Sequence, residues 1–140
     1  MRFMVMGLAT NETEAGAPPT AEAMAAMQKY NEELVKAGVL LAAEGLTPTS
    51  KGARVKFSHD TITVIDGPFA ESKEVVAGFT ILQVKSKEEA IEWAKRCPAS
   101  DNEVIEVRQV QEFSDFPADV QEAAAKFPEL QAQSGQRRGT

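Results

Sequence analysis

Residues 66–84 read Asp66-Gly67-Pro68-Phe69-Ala70-Glu71-Ser72-Lys73-Glu74, followed directly by Val75-Val76-Ala77-Gly78-Phe79-Thr80-Ile81-Leu82-Gln83-Val84. The second part is the most strand-like run in the chain, dense in β-branched and aromatic residues, and belongs in the middle of a sheet. The first part is its opposite. The Gly67-Pro68 pair forbids regular continuation, and Glu71 and Glu74 around Lys73 concentrate polarity just ahead of the strand. The stretch is a turn that delivers the chain into a central strand, and the other elements are assigned outward from it.

Upstream, Ala53 to Phe57 and Thr61 to Ile65 alternate with period two around Ser58-His59-Asp60, which predicts a hairpin with Val55, Phe57, Ile62 and Val64 facing inward. His59 is the only histidine and sits at the hairpin tip, where solvation is the ordinary state. Further back, Arg2 to Leu8 is apolar at nearly every position and reads as a buried first strand. Ala9 to Pro19 is a loop. Thr20 then stands as an N-cap, and Ala23, Met27, Tyr30, Leu34 and Ala37 recur on one helical face. Met24, Met27 and Tyr30 are read as core, with a ligand-facing stripe as the other reading. Gly38 ends this helix and Val39 to Ala43 begins a second strand, which runs into Glu44-Gly45-Leu46-Thr47.

Downstream, Ser86 with Glu89 forms a capping-box pattern ahead of Ala90, Ile91, Trp93, Ala94 and Cys97, and Pro98 closes that helix. Glu103 to Val110 alternates polar with apolar as a last strand. Asp115 and Pro117 then read as the start of a C-terminal helix carrying Phe116, Val120, Ala123 or Ala124, Phe127 and Leu130, and Ser134 to Thr140 is expected to be a mobile tail.

Composition excludes several classes of function. The chain has 140 residues, enough for a continuous core in a single domain without disulfides. Its net charge of -6 argues against a phosphate-binding surface, so no nucleic acid is expected; Arg137-Arg138 lies in the polar tail. The apolar start is too short for a signal peptide or a spanning helix, so no membrane partner is expected and the location reads as cytoplasmic. Cys97 is the single cysteine, which leaves no internal disulfide and no Cys/His zinc pattern. Cys97 reads as a small core residue and not as a nucleophile, because the lone histidine is far away in sequence.

Without the hairpin the order is strand, helix, strand, strand, helix, strand. That is an α+β, ferredoxin-like βαββαβ fold with an inserted β-hairpin and two helices on one face of an antiparallel sheet. The other face needs a cover, so pairing of two copies is expected. Gly38-Val39-Leu40-Leu41, Glu44-Gly45-Leu46, the Asp66 to Glu74 stretch, Gly78-Phe79, Ala90-Ile91-Glu92-Trp93-Ala94 and Glu106-Val107-Arg108 together resemble the YCII-related family, in its DGPF-motif branch. The resemblance covers residues 1–112 and leaves 113–133 as a helical extension and 134–140 as a flexible tail. It implies a dimeric α+β barrel with a pocket between sheet and helices, related in architecture to small cofactor-free isomerases and monooxygenases, and with it a homodimer with a small-molecule ligand and no cofactor, but no particular reaction. Some members of the family it resembles are encoded or fused beside sigma factors, and the expected dimer, the extra helix and the missing dyad motivate the alternative of a non-catalytic, dimeric accessory to a transcription regulator such as a sigma factor. The histidine that the wider family carries on its first helix is absent here.

Asp66 is the candidate catalytic residue: beside a helix-covered crevice, Phe69 and Phe79 would desolvate its carboxylate and suit it to general-base work. The competing reading makes Asp66 an acceptor for backbone N–H groups near Gly67 and Phe69, fixing the turn in which Pro68 sets φ. Glu44, Glu71 and Lys73 are candidate ligand-binding residues, with a solvated rim as the alternative for the latter two. No metal is expected, because no histidine joins Glu44, Asp66, Glu71 and Glu74 at ligand spacing.

Overall fold

In a computed structural model, residues 1–71 and 74–125 are described. Six strands and four helices follow in the order β1 (Arg2–Leu8), α1 (Asn11–Glu14), α2 (Ala21–Lys36), β2 (Leu40–Gly45), β3 (Ala53–Ser58), β4 (Thr61–Asp66), β5 (Val76–Gln83), α3 (Lys87–Lys95), β6 (Ile105–Gln109) and α4 (Ala118–Ala124). Four strands form an antiparallel sheet in the order β2-β5-β1-β6, while β3 and β4 make a separate two-stranded sheet. The run after the turn is interior to the larger sheet, as its composition predicts.

The helices begin and end where side chains satisfy their free backbone groups. Thr20 Oγ1 accepts the Ala23 N–H at 3.1 Å, and Gly38 leaves α2 with a φ of 72°, a conformation in which glycine meets no Cβ clash. Ser86 Oγ accepts the Glu89 N–H, but the Glu89 carboxylate takes the N–H of Lys85 rather than that of Ser86. The short helix α1 lies within the segment read as a loop. Its sequence signal was local: Thr10 and Thr13 close a reciprocal cap.

Both long helices cover one face of the sheet. Phe3 and Val5 from β1, Leu82 from β5, Tyr30 and Leu34 from α2 and Ala90 from α3 meet in one core, with Trp93, Ile105 and Val107 packed at its margin. Phe3, Leu34 and Leu82 are completely enclosed; burying each contributes about 1.5–3 kcal/mol. Cross-strand partners share a face, so the register puts Val5, Thr80, Ala43 and Val107 on the helix side and Met6, Phe79, Glu44 and Glu106 on the other.

The hairpin departs from expectation. Val55, Phe57, Ile62 and Val64 do form one face, with Val55 opposite Val64 and Phe57 opposite Ile62, but that face looks into solvent and Phe57 is 74% exposed. The alternation was sound; the hairpin simply does not fold back over the larger sheet. Met24 and Met27, read as core, are also exposed. The C-terminal helix starts after Pro117, and its expected residues Phe127 and Leu130, like the tail from Ser134, lie outside the described residues. Among the described residues no helix is long and apolar enough to cross a membrane.

Candidate functional site

A cavity of about 380 Å³ opens between the helix side of the sheet and α2. Its floor is a row of three glycines. Gly7 in β1 stands opposite Gly78 in β5, and Gly78 stands opposite Gly45 in β2, so three adjacent strands lack a side chain at the same level. A Cβ at Gly45 would meet no atom within 4 Å, and one at Gly7 would meet only the Gly78 carbonyl at 3.9 Å. Below this row the same face is filled by Phe3, Val5 and Leu82. The cavity exists because the side-chain layer stops there.

Helix α2 supplies the opposite wall through Met27, Tyr30 and Asn31, which helical spacing brings to one face. Tyr30 is 5% exposed, and its hydroxyl donates to the Trp93 carbonyl at 2.7 Å, tying α2 to α3. Burial pushes its pKa up to about 12, with Cys97 and Glu33 adding and Arg96 opposing. Half-buried Asn31 makes no side-chain hydrogen bond among the described residues, so its amide is available to a ligand. Burial, followed by Glu103, pushes the Cys97 thiol above its ordinary value; that disfavours the thiolate a nucleophile needs. Among the described residues of the lining, only Glu44 and Glu103 carry formal charge.

The sequence-derived candidates separate. Glu44 borders the cavity, but it pairs with Phe79 in the register and its side chain therefore belongs to the opposite face of the sheet. Asp66 ends β4 opposite Ala53 and is exposed, as is Glu71, and neither lines the cavity. The expected desolvation of Asp66 by Phe79 is not present. Lys73 lies outside the described residues. Among the described residues no three acidic, histidine or cysteine side chains stand together as a metal-binding group.

The turn itself is held by residues the sequence reading passed over. Gly67 N–H donates to the Gly52 carbonyl at 3.1 Å, and Phe69 N–H donates to Thr49 Oγ1 at 3.0 Å, so these two amides are bound elsewhere than at the Asp66 carboxylate. The Gly67–Pro68 peptide is cis. Thr49 donates its hydroxyl to Glu14 Oε2 and its backbone N–H to Glu14 Oε1, the latter at 3.1 Å. Gly67 rests directly on Thr49, where any Cβ would collide with the Thr49 carbonyl oxygen. Arg54 stacks over the Phe69 ring at 3.8 Å.

A YCII-related domain matches residues 1–114. The chain belongs to the YCII-related family. All the residues lining the cavity, and the Asp66 turn, fall inside that span, whereas α4 follows it. An uncharacterized protein of Rhizobium meliloti (strain 1021) is 38% identical over 71 residues, 51% of this chain and 54% of that relative; the match thus spans about half of the relative's length. Among solved structures, the 5-chloro-2-hydroxyhydroquinone dehydrochlorinase TftG from Burkholderia phenoliruptrix AC1100, in complex with 2,5-dihydroxybenzoquinone, is 13% identical with a TM-score of 0.41, covering 80% of this chain and 96% of that one.

The glycine row was visible in the sequence of this YCII-related chain in one respect. Gly7, Gly45 and Gly78 each interrupt or end a strand-like run, and a glycine inside a strand marks a place where something approaches the backbone closely. Their alignment in one row depends on strand register and could not be read.

Proposed function

We propose that this YCII-related chain binds a small, uncharged or cationic organic molecule over the Gly7, Gly78 and Gly45 row, as a cofactor-free enzyme or a ligand-binding protein. The glycine floor under α2 carries this reading: three strands in register leave a space of molecular size with an apolar base and one amide, that of Asn31, ready to orient a polar group. An anionic ligand is disfavoured because the described lining carries the Glu103 carboxylate and no lysine or arginine. Asp66 and Glu71 lie outside the lining, so in this reading the Asp66 turn serves the architecture of the site and not the ligand directly.

The same reading includes the DGPF-motif branch, for which Asp66-Gly67-Pro68-Phe69 is the support, and a ferredoxin-like core, for which the strand order β2-β5-β1-β6 is the support. It includes a cytosolic location and a homodimer, the latter supported by the exposed apolar face of the hairpin. That face also favours a second reading, a non-catalytic dimeric accessory to a transcription regulator such as a sigma factor.

Gly45→Leu separates the two. A Cβ there enters open space beside the cavity, so a leucine is expected to reach into it without strain at the backbone. With indole as a neutral aromatic probe, the unaltered protein is expected to show shifts at the amides of Gly7, Gly45 and Gly78 that saturate with concentration. Gly45→Leu is expected to retain the fold and lose those shifts at Gly7 and Gly78. Equal binding by the two proteins would remove the cavity from consideration.

A further inference from the structure

One wall of the cavity is not part of the sheet or of a long helix. Thr10 and Thr13, at the cap and within α1, line the space. A helix of this length has no stability of its own, and α1 buries none of its residues. Its start follows from β1, where Ala9 N–H is fixed to the Val75 carbonyl at 2.7 Å. Its end is fixed by Glu14, whose two carboxylate oxygens accept the backbone N–H and the hydroxyl of Thr49. Thr49 in turn accepts Phe69 N–H and supports Gly67.

We infer that Glu14 and Thr49 are positioning residues for the cavity, forming a clasp that holds the α1 wall in place and couples it to the Asp66-to-Phe69 turn. This rests on the cavity being the ligand site. The chain of contacts is continuous: cavity, Thr13, Glu14, Thr49, Phe69. Each link from Glu14 onward is a hydrogen bond, and those to the carboxylate are charge-assisted and among the stronger kind. The threonine hydroxyl is used twice, as donor to Glu14 and acceptor from Phe69, so no aliphatic residue can substitute for it. The turn motif thereby acquires a function at a distance: Gly67 permits the close approach to Thr49 that Glu14 completes from the other side.

The test uses Thr49→Val, which keeps the branched shape and removes both hydroxyl bonds, and Glu14→Ala, which lies on a helix with no buried residue and so keeps the experiment sound if Thr49→Val does not fold. Native-state amide exchange is followed at Glu14 and Ala15, whose N–H groups bond to the carbonyls of Thr10 and Asn11 at 3.0 Å. Exchange at these two amides is expected to accelerate about tenfold in each variant while the β1 and β5 amides keep their rates. Indole, read at the glycine amides, is expected to bind about 3–10-fold more weakly, since the wall must be ordered at the moment of binding. Glu14→Gln, which retains one acceptor oxygen, should recover part of the exchange protection and part of the indole affinity. Unchanged exchange at Glu14 and Ala15, or an equal rise across the whole sheet, overturns the clasp. Should indole leave the glycine amides of the unaltered protein unmoved, the cavity reading fails by itself, and the exchange rates still decide the clasp.

Discussion

Gly45 and Gly78 stand directly opposite each other across the β2–β5 ladder, yet their surroundings differ: a Cβ on Gly45 would enter empty space, whereas one on Gly78 would come within 3.1 Å of the Glu44 carbonyl. One glycine leaves room for a ligand and the other for a neighbouring backbone. Gly45→Ala should therefore fold with stability within about 0.5 kcal/mol of the parent. Gly78→Ala should cost about 1–3 kcal/mol, because backbone cannot move aside as a side chain can. Urea denaturation of the two variants checks the difference; equal losses would contradict it.

The turn gives a second contrast between neighbours. Gly67→Ala drives a methyl group into the Thr49 carbonyl and should destabilise by roughly 2–4 kcal/mol. Asp66→Asn alters an exposed side chain and should change stability by less than about 0.5 kcal/mol. Thermal melts of the two variants test this, and a large loss in Asp66→Asn would return the turn-fixing role to that carboxylate.

Tyr30 is the only tyrosine in the chain, so phenolate absorbance reports on it alone. Its ionisation in the folded protein should fall near pH 12 instead of 10.0. The unfolded chain releases this proton at lower pH than the folded one. Stability from Tyr30 is therefore fully present below about pH 10 and declines as pH rises from there through the folded value. Tyr30→Phe should lose about 1 kcal/mol at neutral pH with its bond to the Trp93 carbonyl. It should also show a shallower decline in urea stability between about pH 10 and 12 than the parent, the window between the unfolded and folded values.

The hairpin predicts an assembly effect separable from stability. Phe57 and Ile62 are 74% and 66% exposed and pair across the hairpin. Phe57→Asp with Ile62→Asp should leave the thermal unfolding of the single chain within about 1 kcal/mol, because neither side chain contributes to the core. The parent is expected to sediment as a dimer and the double variant as a monomer. Identical sedimentation of the two would remove this face from the assembly.

Much of the fold follows from local order along the chain. The apolar run of Arg2 to Leu8, the spacing of Tyr30 and Leu34, Thr20 and Ser86 as caps, Gly38 as a stop and the strand after the turn are near-neighbour effects, and each stands where its pattern requires. What near-neighbour chemistry could not supply is position relative to distant residues. Val55 and Ile62 alternate as core residues do, but whether a hairpin lies over a sheet or beside it is not encoded in its own alternation. Glu44 is near the cavity and points elsewhere because strand parity, set by pairing with Phe79, decides its side. Asp66 attracted a catalytic reading through its place in an unusual turn, although the bonds that hold this turn come from Thr49 and Glu14, 17 and 52 residues earlier by their numbering. The cavity is the clearest case: Gly7, Gly45 and Gly78 are three separate glycines in the sequence, and only the register of three strands turns them into one floor.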